Sequence, residues 1–297
     1  MHASREISRF HRQPYRGERL TRQLSRVLVS RPQFFAITEA RNPFFRQSDR
    51  VDTALALRQW ESLCQAFQRA GLKIYTVEPR PSLEDMCFTA SQFFVGIDQE
   101  ERSFAVPSHM LHRSRRDEVE HLVRWYSEHG YRILDLELEG DDFLEGAGDL
   151  LWSSNWEWVW AGYGPRSTRA AVEQFAAMMQ PMGFEVRPLE IVDPHFFHLN
   201  LCLAPLSSDS LLLYPGAFEP ETLAGIRQRA NVYEVSREEA LQFVCNGVSV
   251  NGYFITPRLS RRLEHVLGIE GIEPIVVDLS EFHKAGGSVA SLKMLLP

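Results

Sequence analysis

A helix followed by a short apolar strand recurs five times along this chain, and this repetition restricts the fold more than any other feature. Apolar residues at helical spacing predict helices at residues 51–70, 116–129, 167–182, 221–230 and 261–270. Glycine follows four of these helices, as expected where a left-handed residue ends a helix. A unit that returns about every 40 to 60 residues indicates a radial or stacked architecture rather than two unrelated domains.

Strand pairs between the helices complete a repeating module. D-L-L-W-S is followed by W-E-W-V-W-A-G, G-V-S-V is followed by G-Y-F-I-T, and R-V-L-V-S at residues 26–30 reads as the first buried strand. We therefore predict an α/β fold: a five-bladed α/β-propeller of ββαβ modules with pseudo-five-fold symmetry, with its helices outside a central pore. A generic α/β sheet with helices on both faces is the alternative. A dinucleotide-binding fold is disfavoured, because R-P-Q-F-F rather than a glycine-rich loop follows the first strand.

The chain has an arginine-rich N-terminal stretch, and the rest of it contains no stretch of linker-like composition. No Pro/Ser-rich or low-complexity run separates the modules, so we predict a single domain at residues 26–297. The extension at residues 1–25 is rich in arginine, poor in acidic residues and free of a hydrophobic segment, so it is not a secretory signal. It fits either a transit peptide or a solvated tail or lid, and we favour the second interpretation.

Composition and cysteine usage exclude several classes of function. The net charge of -7 and the pI near 5.8 disfavour a nucleic-acid partner. No apolar run approaches the roughly 20 residues that span a bilayer, so we expect no membrane partner. The four cysteines are scattered, with neither a C-x-x-C pair nor zinc spacing. We therefore expect free thiols in a cytoplasmic protein with no metal and no cofactor.

Two stretches place a titratable side chain next to an apolar segment. F-L-E-G-A-G-D puts Glu145 beside glycines just before a strand that begins at Leu150, which fits a carboxylate of raised pKa, a cation site or a simple charged turn. F-F-H-L-N puts His198 in a predicted apolar strand, with Asn200 on the same face. The pattern leaves His198 open as a general acid and base or as a core histidine.

Two further stretches indicate a functional site only when they are considered together with these motifs. L-E-D-M-C-F-T-A-S surrounds a predicted short strand with Asp85 and Ser91, and Asp85 would contact a cationic substrate or cap the preceding turn. Near the C-terminus, Gly286 and Gly287 precede the last apolar run. Such a glycine pair either holds a side chain over a cleft or forms a plain hairpin before an edge strand.

Taken in chain order, these stretches resemble the guanidino-modifying superfamily of dimethylarginine dimethylaminohydrolases, arginine deiminases and amidinotransferases. The resemblance covers about residues 26 to 297. The family has a P-D-M-x-F-T-A-N-like segment, E-G-x-G-D, H-L-D and a terminal G-G-x-V-x-C, and this chain has E-D-M-C-F-T-A-S, E-G-A-G-D, H-L-N and G-G-S-V-A-S in the same order. R-R-D-E at residues 115–118 and G-P-R-S at residues 164–167 match two further family segments. The resemblance implies the same five-bladed propeller, known in this superfamily as the pentein fold.

The resemblance also implies chemistry in which a thiolate attacks the guanidinium carbon and a histidine protonates the leaving amine and then activates water. By matching position, His198 is the acid and base, and Glu145 is its carboxylate partner or a substrate ligand. Asp85 is implied as a guanidinium contact, and Arg116 and Arg166 as clamps for the substrate carboxylate. The implied partner is a small guanidino substrate, and a homodimer is a further expectation.

This chain departs from the family pattern at its nucleophile. Ser291 stands where the family has its catalytic cysteine, and a serine hydroxyl is far less acidic than a thiol. The substrate-binding positions Ser91 and Asn200 also differ from common family residues. Three functions remain open: a dimethylargininase-type hydrolase that is inactive with serine at this position, a pseudoenzyme that binds a ligand, and a deiminase or amidinotransferase acting on another guanidino compound.

Overall fold

The β-strands of the computed structural model group into five separate three-stranded sheets. The structure describes residues 24–46, 48–138 and 140–297, so all but the last two residues of the predicted extension at 1–25 lie outside the described residues. In chain order the strands are β1 (Arg26–Ser30), β2 (Lys73–Val77), β3 (Phe93–Ile97), β4 (Ser103–Pro107), β5 (Arg132–Ile133), β6 (Leu150–Trp152), β7 (Trp158–Tyr163), β8 (Glu185–Glu190), β9 (Leu203–Pro205), β10 (Ser210–Leu213), β11 (Asn231–Glu234), β12 (Val248–Val250), β13 (Tyr253–Thr256), β14 (Glu273–Val276) and β15 (Met294–Leu296).

Helices of two kinds connect these strands. The described α-helices are α1 (Thr53–Arg69), α2 (Arg116–Glu128), α3 (Gly146–Asp149), α4 (Arg169–Met179), α5 (Pro220–Arg227), α6 (Arg237–Leu241), α7 (Arg261–Glu270) and α8 (Ser280–His283). Short 3₁₀ helices lie at Arg113–Arg115, Gln180–Met182, Leu199–Leu201, Pro215–Ala217 and Val244–Asn246. No described helix is long and apolar enough to cross a membrane.

Each sheet repeats one topology. Its middle strand pairs antiparallel with one neighbour and parallel with the other. One long helix (α1, α2, α4, α5 or α7) joins each parallel pair, as a parallel connection requires a crossover. The C-terminal strand β15 completes the N-terminal sheet by pairing with β1, which sets Leu28 opposite Met294. The five ββαβ modules confirm the predicted propeller.

Local sequence sets the boundaries of the long helices. Asp52, Thr168 and Ser260 each accept a hydrogen bond from the backbone N–H three residues on, which satisfies a donor at the start of α1, α4 and α7. Gly271 ends α7 with φ of 69°, a conformation that costs glycine little. The predicted helix boundaries agree to within a few residues. The five-residue helix α6 was not predicted, because it is too short to display an apolar period.

The long helices cover the outer faces of the sheets and leave the short connections at the centre. Phe67 of α1, Tyr126 of α2 and Phe175 of α4 are fully buried. Helix α3 and the 3₁₀ helices Leu199–Leu201 and Val244–Asn246 come from three different modules and pack side by side. These short helices carry or adjoin three of the polar residues singled out by the sequence, namely Glu145, His198 and Asn200.

Candidate active site

His198 lies between two buried carboxylates. Its Nδ1 is 3.2 Å from Asp149 Oδ2, and its Nε2 is 3.3 Å from Glu145 Oε2. The predicted strand around F-F-H-L-N is wrong: His198 has extended backbone, and the 3₁₀ helix Leu199–Leu201 starts directly after it. That turn lets the backbone N–H of Leu199 donate to Asp149 Oδ1 at 2.9 Å, which fixes the carboxylate beside the imidazole.

The glycines of F-L-E-G-A-G-D allow the carboxylates of Glu145 and Asp149 to approach the His198 ring closely. Gly146 has φ of 43°, and a Cβ there would lie 2.4 Å from the carbonyl oxygen of Phe93. A Cβ on Gly148 would lie 2.8 Å from His198 Nδ1. Because larger residues would collide with backbone or with the imidazole, these glycines are required by packing. Asp149 was part of the quoted motif, but its contact with His198 was not foreseen.

The pKa values of Glu145 and His198 shift in opposite directions. Burial would raise the pKa of Glu145, but Arg166 and His198 outweigh it, so the pKa of this carboxyl lies well below its usual range. Burial would lower the pKa of His198, but Asp149 and Glu145 outweigh burial and raise it above its ordinary value of 6.5. Of the alternatives left open for Glu145, a raised pKa is therefore wrong, and the neighbouring carboxylates favour the protonated form of the imidazole.

Arg166 links Glu145 to a segment far away in the sequence. Its Nη1 donates to Glu145 Oε2 at 2.8 Å, and its Nη2 donates to the carbonyl oxygen of Arg41 at 2.9 Å. The guanidinium also lies over the ring of Phe197, 4.7 Å from the ring centre. Arg166 is thus buried beside the catalytic candidates, as the resemblance implied, and two of its N–H-bearing nitrogens already contact protein oxygens.

Asp85 is paired with arginines of the chain itself. Arg41 Nη1 donates to Asp85 Oδ2 at 2.6 Å, while Arg41 Nη2 donates to Glu84 Oε1 at 2.7 Å. Arg115 Nε lies 3.8 Å from the same Asp85 oxygen. The predicted strand around L-E-D-M-C-F-T-A-S is wrong, since turns occupy this segment and strand β3 begins only at Phe93.

The buried arginine of R-R-D-E is Arg115, and not Arg116 as the resemblance implied. Arg116 is exposed and its Nε donates to the carbonyl oxygen of Met110, so it lies outside the cluster. Arg115 is buried instead, and its Nη1 donates to Ser91 Oγ at 3.0 Å and its Nη2 to Glu118 Oε2 at 2.8 Å. The spacing of Arg115 and Glu118, three residues apart at a helix start, was a signal for this pair.

Ser291 joins the cluster through neutral amides. Its hydroxyl donates to Asn246 Oδ1 at 3.2 Å, and Asn246 Nδ2 donates to Asn200 Oδ1 at 3.1 Å. Asn200 Nδ2 in turn donates to the carbonyl oxygen of Ala147, in α3. The structure thus links Ser291 through Asn246 and Asn200 to the backbone of α3, the helix that also carries Asp149. Asn246 was missed, because a single asparagine before a glycine gives no distinctive sequence signal.

The C-terminal glycines place Ser291 against the rest of the cluster. A Cβ on Gly287 would lie 2.5 Å from the ring of Phe88 and 3.1 Å from Ser291 Cβ. The carbonyl oxygen of Ser291 accepts a hydrogen bond from the backbone N–H of Ala90, next to Ser91. The glycine pair therefore positions Ser291 close to the Asp85–Ser91 segment, rather than forming a plain hairpin.

None of the four cysteines offers a thiolate at ordinary pH. Burial raises the pKa of Cys64 to about 12, with Glu61 adding to the shift. Burial likewise raises the pKa of Cys87, Cys202 and Cys245 above the ordinary thiol value. The thiols are free, as predicted, and none is poised to replace the missing nucleophile.

Comparison with known proteins identifies the family. Residues 29–293 match the family described as N,N dimethylarginine dimethylhydrolase, eukaryotic. The chain therefore belongs to this family. It is 35% identical over 274 residues to the N(G),N(G)-dimethylarginine dimethylaminohydrolase of Mycobacterium tuberculosis, a match that covers 91% of this chain and 85% of that protein.

A second group of relatives comprises arginine dihydrolases. The chain is 32% identical over 273 residues to the bifunctional arginine dihydrolase/ornithine cyclodeaminase ArgZ of Synechocystis, covering 91% of this chain but 37% of ArgZ. The solved N-terminal domain of ArgZ, as a cysteine-to-serine variant bound to substrate, superimposes with a TM-score of 0.83 at 30% identity. That match covers 91% of this chain and 97% of the domain, which confirms the pentein fold.

Proposed function

We propose that this protein binds an arginine-type guanidino compound in the cleft between Asp85, Glu145 and Ser291, and that it does not hydrolyse the compound at an enzymatic rate. One observation carries the proposal. The Ser291 hydroxyl donates to an amide oxygen of Asn246, while carboxylates occupy both ring nitrogens of His198. The chain thus keeps charged groups that recognise a guanidinium but lacks an activated nucleophile.

The position of the protons explains why turnover is not expected. A serine attacks a guanidinium carbon only if a base removes its proton. The imidazole of His198 lies between Glu145 and Asp149, and these carboxylates favour its protonated form over the neutral form that could accept that proton. Protonated His198 remains suited to donate a proton to a leaving amine. The chain therefore keeps a proton donor for the leaving amine but lacks an activated nucleophile.

The chain itself contains a guanidinium in the proposed cleft. The two Nη atoms of Arg41 donate to Asp85 and Glu84, which is the paired geometry that carboxylates offer a guanidinium group. A ligand guanidinium would either displace Arg41 or bind beside it, toward Glu145. This intramolecular pairing supports recognition of guanidino groups and argues against an empty, freely accessible pocket.

The carboxylate end of the ligand would meet Arg166, together with Arg115 rather than Arg116. Arg115 and Arg166 are both buried and both connect to the polar cluster, whereas Arg116 is exposed. Planar guanidinium groups bind carboxylates in a two-pronged manner that lysine cannot reproduce. We therefore propose an α-carboxylate as the second recognised group.

Calorimetry with paired ligands tests the proposal. L-arginine and N(G),N(G)-dimethylarginine should bind, agmatine should bind more weakly because it lacks the carboxylate, and citrulline should bind more weakly because it lacks the cationic guanidinium. Release of citrulline should stay far below the rate of about 1 per second that is common for enzymes. Equal binding of all four compounds would overturn the proposed recognition, and enzymatic turnover would overturn the proposed inactivity.

A hydrolase acting at the guanidino carbon is the second candidate. It is favoured by the intact arrangement of His198, Glu145 and Asp149, since those groups suit protonation of a leaving amine. Hydrolysis of dimethylarginine would consume one water and yield citrulline and dimethylamine. Detection of both products in equal amounts from the unmodified chain would establish this candidate. A deiminase reaction would instead give citrulline and ammonia from arginine.

A further inference from the structure

A second cavity, of about 580 Å³, lies on the axis of the propeller. Its wall includes, from every sheet, the strand that pairs antiparallel with the middle strand, namely β3, β6, β9, β12 and β15. The proposed guanidino residues Asp85, Glu145, His198 and Ser291 are not part of this wall, although Asn200 and Ala290 border it. We call this space the axial cavity. Its volume falls within the range of about 300 to 1,000 Å³ that is typical of small-molecule sites.

Lys293 is the one charged residue among the described residues that line the axial cavity. It lies directly before β15, and only 9% of its surface is exposed. Within the described part of the chain its ammonium group has neither a hydrogen-bond acceptor nor a carboxylate partner. Lys284, in contrast, pairs with Glu281 at 2.6 Å. Burial lowers the pKa of Lys293 to about 8, since nothing in its surroundings stabilises the positive charge.

A second polar group in the same wall also lacks a partner. The hydroxyl oxygen of Ser154 is buried and has no hydrogen-bond partner among the described residues. Most of the remaining wall is apolar, with aromatic rings from Phe94, Trp152 and Trp156. A buried donor without an acceptor is costly, so such groups are usually found paired. The Ser154 hydroxyl and the largely buried Lys293 ammonium therefore both lie in the wall of one roomy cavity, without a partner among the described residues.

We propose that the axial cavity is a second ligand site that takes a small monocarboxylate with an apolar body, its carboxylate paired with the Lys293 ammonium and its hydrocarbon against the aromatic wall. A carboxylate supplies the missing counter-charge and can accept further hydrogen bonds, for example from the Ser154 hydroxyl. A cationic guanidino compound would meet repulsion from Lys293. The axial cavity and the guanidino cleft thus select ligands of opposite charge, and the second site does not depend on the proposed function of the first.

Calorimetry with octanoate, 1-octanol and octylamine tests charge selection. Octanoate should bind the intact chain, 1-octanol more weakly, and octylamine not at all. Lys293→Met keeps the length of the side chain and removes the charge, so octanoate affinity should fall at least about tenfold. The binding of 1-octanol should stay unchanged. Lys284→Met is the matched control and should bind octanoate like the parent. Absence of octanoate binding at about 10 mM, or equal affinity of the Lys293→Met variant, would overturn the proposal.

A spectroscopic measurement on the unmodified chain covers the case in which Lys293→Met fails to fold. The sequence contains three lysines, Lys73, Lys284 and Lys293, so lysine labelled with ¹³C at Cε gives few signals to resolve. Octanoate should shift the Lys293 signal and raise the pH at which it titrates, because the ammonium form gains a partner. The signals of Lys73 and Lys284 should not move. An unchanged Lys293 signal at saturating octanoate would overturn the proposal.

Discussion

Arg41 and Asp85 form an ion pair in which Arg41 Nη1 lies 2.6 Å from Asp85 Oδ2. The pair places a guanidinium of the chain on the carboxylate that the family resemblance assigns to a substrate guanidinium. The same segment is held from two sides, since Arg166 donates to the carbonyl oxygen of Arg41 and Asn42 Nδ2 donates to that of Ala285. The loop between β1 and α1 therefore occupies the position at which we propose that a guanidino ligand binds.

Replacement of Arg41 by alanine should strengthen the binding of arginine. The substitution frees Asp85 and Glu84, so the ligand no longer has to displace a tethered guanidinium. An affinity gain of about tenfold, or roughly 1.4 kcal/mol, is expected in calorimetry. Arg31→Ala is the control, because Arg31 is exposed and lies 3.7 Å from Glu61. Unchanged or weaker binding in Arg41→Ala would show that Arg41 does not compete with the ligand.

The Ser291→Cys variant should gain citrulline release from dimethylarginine while the parent shows little or none. A thiol is far more acidic than a hydroxyl, and its thiolate attacks the guanidinium carbon where a hydroxyl does not. Activity should disappear on alkylation and in the double variant Ser291→Cys, His198→Asn. If the variant binds arginine but stays inert, the departures at other positions also block catalysis, and the protein acts in binding alone.

The stability contributed by His198 should depend on pH. Its folded-state pKa lies above 6.5, so the stabilisation is fully present below about pH 6.5 and is lost as the pH rises through the folded-state value. Urea unfolding of the parent and of His198→Asn, at about pH 6 and about pH 9, measures this contribution. The free-energy difference between the two proteins should shrink at the higher pH. A difference that grows with pH would contradict a protonated imidazole.

Removal of Arg166 should be costly because it leaves a buried carboxylate without its partner. Glu145 is fully buried, and Arg166→Met should lower the free energy of unfolding by about 3 to 5 kcal/mol. The double variant Arg166→Met, Glu145→Gln should recover part of this loss, since no unpaired charge remains. Denaturant titrations of the four proteins form a double-mutant cycle. Simple additivity of the two losses would mean that the ion pair is not coupled.

The neighbouring pair Arg115 and Arg116 provides a matched test of the carboxylate clamp. Arg115→Lys keeps the charge but removes the planar fork, and it should reduce the preference for arginine over agmatine several-fold. Arg116→Lys should leave that preference unchanged, because Arg116 is exposed and outside the cluster. Binding of both ligands to both variants is measured by calorimetry. The reverse result would restore the assignment of Arg116 made from the sequence.

The architecture was predictable because its signals are local. Helix spacing, terminal glycines and short apolar runs each depend on a few consecutive residues, and their repetition along the chain was enough to infer five modules. The motifs around Glu145, His198 and Ser291 were likewise readable as short strings. Local patterns failed where turns replaced strands, at residues 84–91 and around His198, since apolar residues in buried turns resemble those of buried strands.

Tertiary structure alone decided which polar groups meet. Arg41 and Asp85 are 44 positions apart, and Ser291 and Asn246 are 45 positions apart, so no local pattern links them. Which of two adjacent arginines points inward depends on where the turn before α2 begins, and a one-residue difference reverses the outcome. The axial cavity, with the buried Lys293 in its wall, exists only once β15 closes the ring against β1. The sequence determined the modules and the motif residues, while ring closure determined their partners, because burial and charge pairing are properties of the assembled chain.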